Sequence, residues 1–108
     1  MIYELRTYTA RPGKHEALVR RFGQHTMPIF ARLGIEVVHC WTRPDAPDDF
    51  CYLTRFESEA QKQQALQAFA ADEEWKRVKA ASETDGPLLA SQTVLALNPV
   101  DFSPADRA

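Results

Sequence analysis

The sequence predicts an α+β fold of the ferredoxin-like kind: one four-stranded antiparallel sheet with its helices on a single face. Three observations lead there. Segments patterned as strands and helices follow the order β-α-β-β-α-β along 108 residues. The breaks between them are short, which favours unthreaded, right-handed connections. The middle strands carry apolar residues on both faces, so helices cover one face and a partner is needed for the other. A chain of this length suits one domain that buries roughly 65% of its unfolded surface.

Ile2 to Thr9 is rich in β-branched and aromatic residues and alternates imperfectly, as a strand does. Arg11-Pro12-Gly13-Lys14 ends it. From Lys14 the period becomes helical: Leu18, Phe22, His25 and Ile29 fall within about 60° of one another, with Leu33 on the flank. In this reading His25 faces the sheet. Pro28 has no amide hydrogen to give the carbonyl of Gln24, which predicts a kink, and Gly34 supplies the stop.

Ile35 to Thr42 and Phe50 to Phe56 are strand-like runs on either side of a loop, Arg43 to Asp49, marked by two prolines and three acids. A hairpin symmetric about Pro44 to Pro47 would set Tyr52 opposite His39 and Cys51 opposite Cys40. Ser58 to Gln61 has the spacing of a capping box and starts a helix through Ala70. Asp72 caps a further helical piece that carries Trp75 and Val78. After Asp85-Gly86-Pro87 the last strand runs from Leu89 to Leu97. Residues 1–98 thus make the domain, and 99–108 a C-terminal tail that is loose or laid on a neighbour.

Composition narrows the function classes. Apolar residues are 44%, charged residues 26%, and the net charge is −2. That balance has no basic stripe and no apolar run of membrane length, so neither nucleic acid nor a membrane is expected as a partner. The first ten residues read as a strand holding Glu4 and Arg6 rather than as a leader, and the expected location is cytoplasmic. Two cysteines are too few for a disulfide framework. The three histidines lack partners at metal-ligand spacing, and neither a glycine-rich phosphate loop nor a nucleophile elbow is present. No metal and no cofactor is expected.

Six residues stand out as candidates for a site. His25, in mid-stripe, is either a satisfied core residue or a catalytic general acid or base at a pocket wall. His39 and Trp41 share a strand face, and with Tyr52 they make either an imidazole- and aromatic-lined ligand pocket or cross-strand packing with polar tips. Glu4, Arg6 and Tyr8 share a face of the first strand. There the planar donor fork of Arg6 suits an anionic ligand beside Tyr8, or else forms an ion pair with Glu4.

Several separated segments also resemble the NIPSNAP family. They are Met1 to Thr9, Arg11-Pro12-Gly13-Lys14, His25 with Pro28, Cys40-Trp41-Thr42, Phe56-Glu57-Ser58, Asp72-Glu73-Glu74-Trp75 and Pro87-Leu88-Leu89. The resemblance implies a dimeric α+β barrel, in which two ferredoxin-like subunits join their sheets. That superfamily includes cofactor-free monooxygenases, haem degraders and lactone isomerases, among which the fold does not choose. The third strand departs from the family's His-Leu-Trp-x-Tyr pattern and reads Tyr52-Leu53-Thr54-Arg55-Phe56, so roles of that histidine and tryptophan do not transfer. The expectation is a homodimer that binds a small, partly aromatic or anionic molecule in a pocket. Its alternatives are a cofactor-free monooxygenase or isomerase, and a non-enzymatic protein-interaction module.

Overall fold

The computed structural model of the protein describes residues 1–104. Four strands, β1 (Ile2–Ala10), β2 (Glu36–Arg43), β3 (Ala46–Phe56) and β4 (Leu89–Leu97), form one antiparallel sheet in the order β2-β3-β1-β4. Between β1 and β2 lies a helical arm of three parts: α1 (His15–Arg21), a π-helical turn (Phe22–Thr26) and α2 (Met27–Arg32). Between β3 and β4 lie α3 (Glu59–Ala71) and α4 (Glu73–Ser82). This is the expected α+β, ferredoxin-like sheet with helices on one face. Among the described residues no helix is long and apolar enough to cross a membrane.

Local signals set most boundaries. Gly13 and Gly34 take positive φ, which lets the chain turn after β1 and leave α2 without a Cβ clash. Ser58 Oγ accepts the Gln61 N–H at 3.1 Å and Asp72 accepts the Trp75 N–H at 3.0 Å, so each cap satisfies an orphan donor at a helix start.

The core forms where the arm lies on β3. Alternate β3 residues Phe50, Tyr52, Thr54 and Phe56 are buried. Phe22 sits over them, its ring 4.8 Å from Phe50 and 4.5 Å from Tyr52, with Phe30 beyond. Each such side chain contributes roughly 1.5–3 kcal/mol on full burial, and that anchors the arm to the sheet.

His25 does not face the sheet. It is exposed, and Thr26 is buried at 5% in its place. The cause is the π turn, where the Met27 N–H donates to the Phe22 carbonyl five residues back and one extra residue enters the turn. Pro28 lacks the donor that would close a normal turn onto Gln24, so the expected irregularity appears as a wide turn just upstream of it. The inward residues become Leu18, Phe22, Thr26 and Phe30, with Ile29 buried alongside.

The hairpin register also differs from the symmetric reading. The turn is only Pro44-Asp45, with Arg43 paired to Ala46, and β3 includes Pro47 to Asp49. Asp49 is held extended by Thr9 Oγ1, 2.7 Å away on β1, and by Arg43 at 3.2 Å. Opposite Cys40 stands Tyr52, opposite Trp41 stands Cys51, and His39 pairs with Leu53. A bulge at Val38 places His39 and Trp41 on the sheet face away from the helices, where their rings stack at 5.1 Å. Both cysteines are free thiols.

The face without helices carries Leu5, Leu53 and Leu95 in one row across β1, β3 and β4. Trp41, Leu95 and Leu97 are all exposed there. Of the tail, residues 99–104 are described and form a turn with Ser103 N–H donating to the Val100 carbonyl, while Val100 and Phe102 are exposed. Residues 105–108 of that tail lie outside the described residues.

Candidate functional site

Strand alternation in β1 turns Glu4, Arg6 and Tyr8 toward the helices, because Glu4 and Ala10 on the same face are buried. Above Arg6 and Tyr8 the helices do not close on the sheet. They leave a cleft of about 220 Å³ whose other walls are Arg21, Phe22 and Thr26 of the arm, Phe69 of α3 and Trp75 of α4. Lys79, Glu83 and Gln92 stand at its margin.

Charged groups are fixed on both walls. On the sheet side, Arg6 Nε donates to Glu4 Oε1 at 2.7 Å, and Lys62 of α3 approaches the other Glu4 oxygen at 3.5 Å. Burial works against the Arg6 charge, yet Tyr52, Glu4 and Tyr8 around it hold its pKa above the usual value, so the guanidinium is charged at any working pH. On the helix side, buried Arg21 donates to Glu83 at 2.8 Å and to Ser82 Oγ at 3.0 Å, and its guanidinium lies 5.1 Å over the Trp75 ring. These contacts join α1 to the end of α4.

The aromatic groups are equally tied down. The Tyr8 and Tyr52 hydroxyls are 2.7 Å apart. Burial, together with Tyr8, pushes the Tyr52 phenol well above its ordinary pKa, so it stays protonated. Trp75 stacks on Phe69 at 4.7 Å. Its helix start is clamped from α2 by Arg32, which reaches both oxygens of the Asp72 cap at 2.8 and 2.9 Å.

Of the six candidates, Arg6, Tyr8 and Tyr52 come together in or beside this cleft. His39 and Trp41 lie across the sheet from it, for the bulge turns them outward. His25 lies instead in an open groove of about 490 Å³ between the arm and α4, beside Arg20, Gln24 and Arg77. Arg21 lines both spaces. Arg21, Trp75, Lys79 and Glu83 are cleft residues that the sequence alone does not single out as a site. Helical spacing signals them: Arg21 is three residues after buried Leu18, and Lys79 is four after Trp75. Among the described residues no three metal-ligating side chains gather.

Comparison with known proteins agrees with this architecture. An uncharacterized NIPSNAP domain protein of Burkholderia xenovorans superposes with a TM-score of 0.82 at 20% identity, over 96% of this chain and 99% of its own. A NIPSNAP family protein of Agrobacterium tumefaciens gives 0.83 at 21% identity, covering 95% and 96%. A putative antibiotic biosynthesis monooxygenase of Bordetella bronchiseptica gives 0.70 at 19%, covering 92% and 96%. At such identities these likenesses establish the fold alone. No curated protein matches the sequence. The family model named NIPSNAP, however, matches residues 3–104, from β1 through the turn after β4, and the chain therefore belongs to the NIPSNAP family.

Proposed function

We propose that the protein binds a small molecule in the cleft between β1 and the helices, and does so as a homodimer whose two helix-free sheet faces meet. The observation that carries the first part is the cleft's construction. Aromatic walls from Phe22, Phe69 and Trp75 converge with Arg6 and Tyr8 on one space, the combination that binds and orients small ligands. Arg6, Tyr8 and Tyr52 serve as the binding residues, Tyr52 by holding the Tyr8 hydroxyl. His25 lies outside this space, so proton transfer to a ligand there is not assigned to it.

The second part rests on the exposed row of Trp41, Leu95 and Leu97. An apolar surface of this extent on a sheet face is a liability unless covered, and a second copy covers it by symmetry. His39 and Trp41 then belong to the interface between subunits.

Mass spectrometry of freshly purified protein under denaturing conditions tests the ligand. A stoichiometric small molecule that is lost after unfolding and refolding is the expected result, and a clean spectrum from protein of several preparations counts against it. Sedimentation tests the dimer: a two-chain species is expected at micromolar concentration, and Leu95→Glu converts it to one chain. A stable single chain of the unaltered protein overturns the dimer.

A further inference from the structure

The charges around the cleft are tied unequally. Arg21 spends its bonds on Glu83 and Ser82. Arg6 does not: Nε is held by Glu4, while its two terminal amino groups have no partner among the described residues. No fully buried side-chain nitrogen or oxygen among those residues lacks a partner, so these amino groups are open to space, and the space beside Arg6 is the cleft. A guanidinium anchored at Nε presents its remaining two donors as a fixed, parallel fork. That geometry matches the two oxygens of a carboxylate.

Charge and size limit what the fork can take. Glu4 offsets Arg6, Lys62 is shared between Glu4 and Glu59, which lies 3.3 Å away, and Glu83 offsets Arg21. The charged side chains lining the cleft, taken with Glu4, then leave one positive charge, that of Lys79, which a monoanion balances. Lys79 at the exposed margin favours the approach of the same sign. The volume of about 220 Å³ is below the roughly 300–1,000 Å³ of sites for drug-sized ligands, and corresponds to a single-ring molecule. The walls facing Arg6 from the helices, Phe69 and Trp75, are flat and apolar.

We infer that the ligand of this cleft is a small monocarboxylate with an aromatic or similarly planar body, its carboxylate received by the two terminal amino groups of Arg6 and its ring lying toward Phe69 and Trp75. Glu4 is a positioning residue: it touches no ligand and sets the direction of the fork. The inference rests on the small-molecule reading above and names the chemical class of that ligand.

Nuclear magnetic resonance of the intact protein, read at the two tryptophan indole N–H signals, tests it. A Trp41→Phe variant, altered on the opposite sheet face, assigns the signals. The probes are benzoate, its neutral isostere benzamide, and the dianion phenyl phosphate. Benzoate is expected to move the Trp75 signal and leave Trp41 in place, and to bind at least tenfold more tightly than either other probe. Arg6→Gln alone leaves Glu4 with Lys62 only, so the paired variant Glu4→Gln/Arg6→Gln accompanies it, and in both the preference for benzoate over benzamide is expected to vanish. Benzamide binding as well as benzoate overturns the carboxylate assignment and leaves the small-molecule reading standing. Tighter phenyl phosphate overturns the monoanion. If no probe moves Trp75, the assignment falls, and the co-purification experiment decides the broader reading separately.

Discussion

Tyr8 and Tyr52 share a hydrogen bond of 2.7 Å between their hydroxyls, but they do not share an environment: Tyr52 is 2% exposed, whereas Tyr8 borders the cleft. The two partners therefore carry different costs when the bond is broken. Tyr8→Phe strands a buried hydroxyl and is expected to destabilise by about 1–3 kcal/mol. Tyr52→Phe leaves a hydroxyl that water in the cleft can satisfy, and is expected to cost less than about 1 kcal/mol. Urea denaturation of both variants measures the difference, and equal losses would show that both hydroxyls are equally sealed.

Arg21 and Glu83 form an ion pair between α1 and the end of α4, with side-chain exposures of 6% and 19%. Glu83→Ala leaves that guanidinium with Ser82 alone and is expected to cost roughly 3 kcal/mol, the lower end for breaking a buried pair, because Glu83 is partly wet. Replacing both residues, as Arg21→Met/Glu83→Leu, is expected to restore most of the loss. A double variant as unstable as the single one would locate the cost in packing against Trp75 instead.

Asp72 gives the fold a predictable response to acid. The Trp75 backbone N–H first, and Arg32 next, hold its carboxyl below the ordinary value of 3.8. Since the folded value lies below the unfolded one, the stabilisation is complete above the unfolded value and is lost as pH falls through the folded value. Asp72→Asn retains a capping side chain without the charge. Its melting temperature is expected to lie below that of the unaltered protein at pH 7, with the gap closing toward about pH 2. A gap of constant size across that range would remove the charge from the explanation.

The phase of the arm yields a contrast between neighbours. His25→Ala, at an exposed position, is expected to change stability by no more than about 0.5 kcal/mol. Thr26→Asp puts a carboxylate where 5% exposure remains, and is expected to cost at least about 3 kcal/mol or to shift that carboxyl strongly upward. Thermal melts of the two variants separate the readings, and the reverse order would return His25 to the sheet side.

What could be read directly from the sequence was whatever a few adjacent residues decide. The bounds of β4, the stop at Gly34 and the caps at Ser58 and Asp72 are of this kind, as is the common face of Glu4, Arg6 and Tyr8. The helical phase at His25 and the register at Cys40 were not legible, because each is moved by one inserted residue. Whether a turn widens or a strand bulges depends on which alternative buries Phe30 or pairs Asp49, and those partners are distant in sequence. The ion pair of Arg21 with Glu83, 62 positions apart, was hidden for the same reason. Its members look like surface charges until the helices are packed.

The wide turn at Phe22–Thr26 makes the width of a single turn, more than the identity of the residues in the arm, the determinant of what the sheet meets. Deleting one residue between Phe22 and Thr26 would remove the turn and leave the two parts in phase, whereas an ordinary helix run through the full-length arm would rotate the downstream part against the upstream part by about 100°. An imidazole would then be carried inward and a hydroxyl outward, with every side chain in the arm unchanged in kind. A relative shorter by one residue inside this turn would thus present the same faces to the same chamber, and an alignment that slides the gap out of the turn would equate residues that look in different directions.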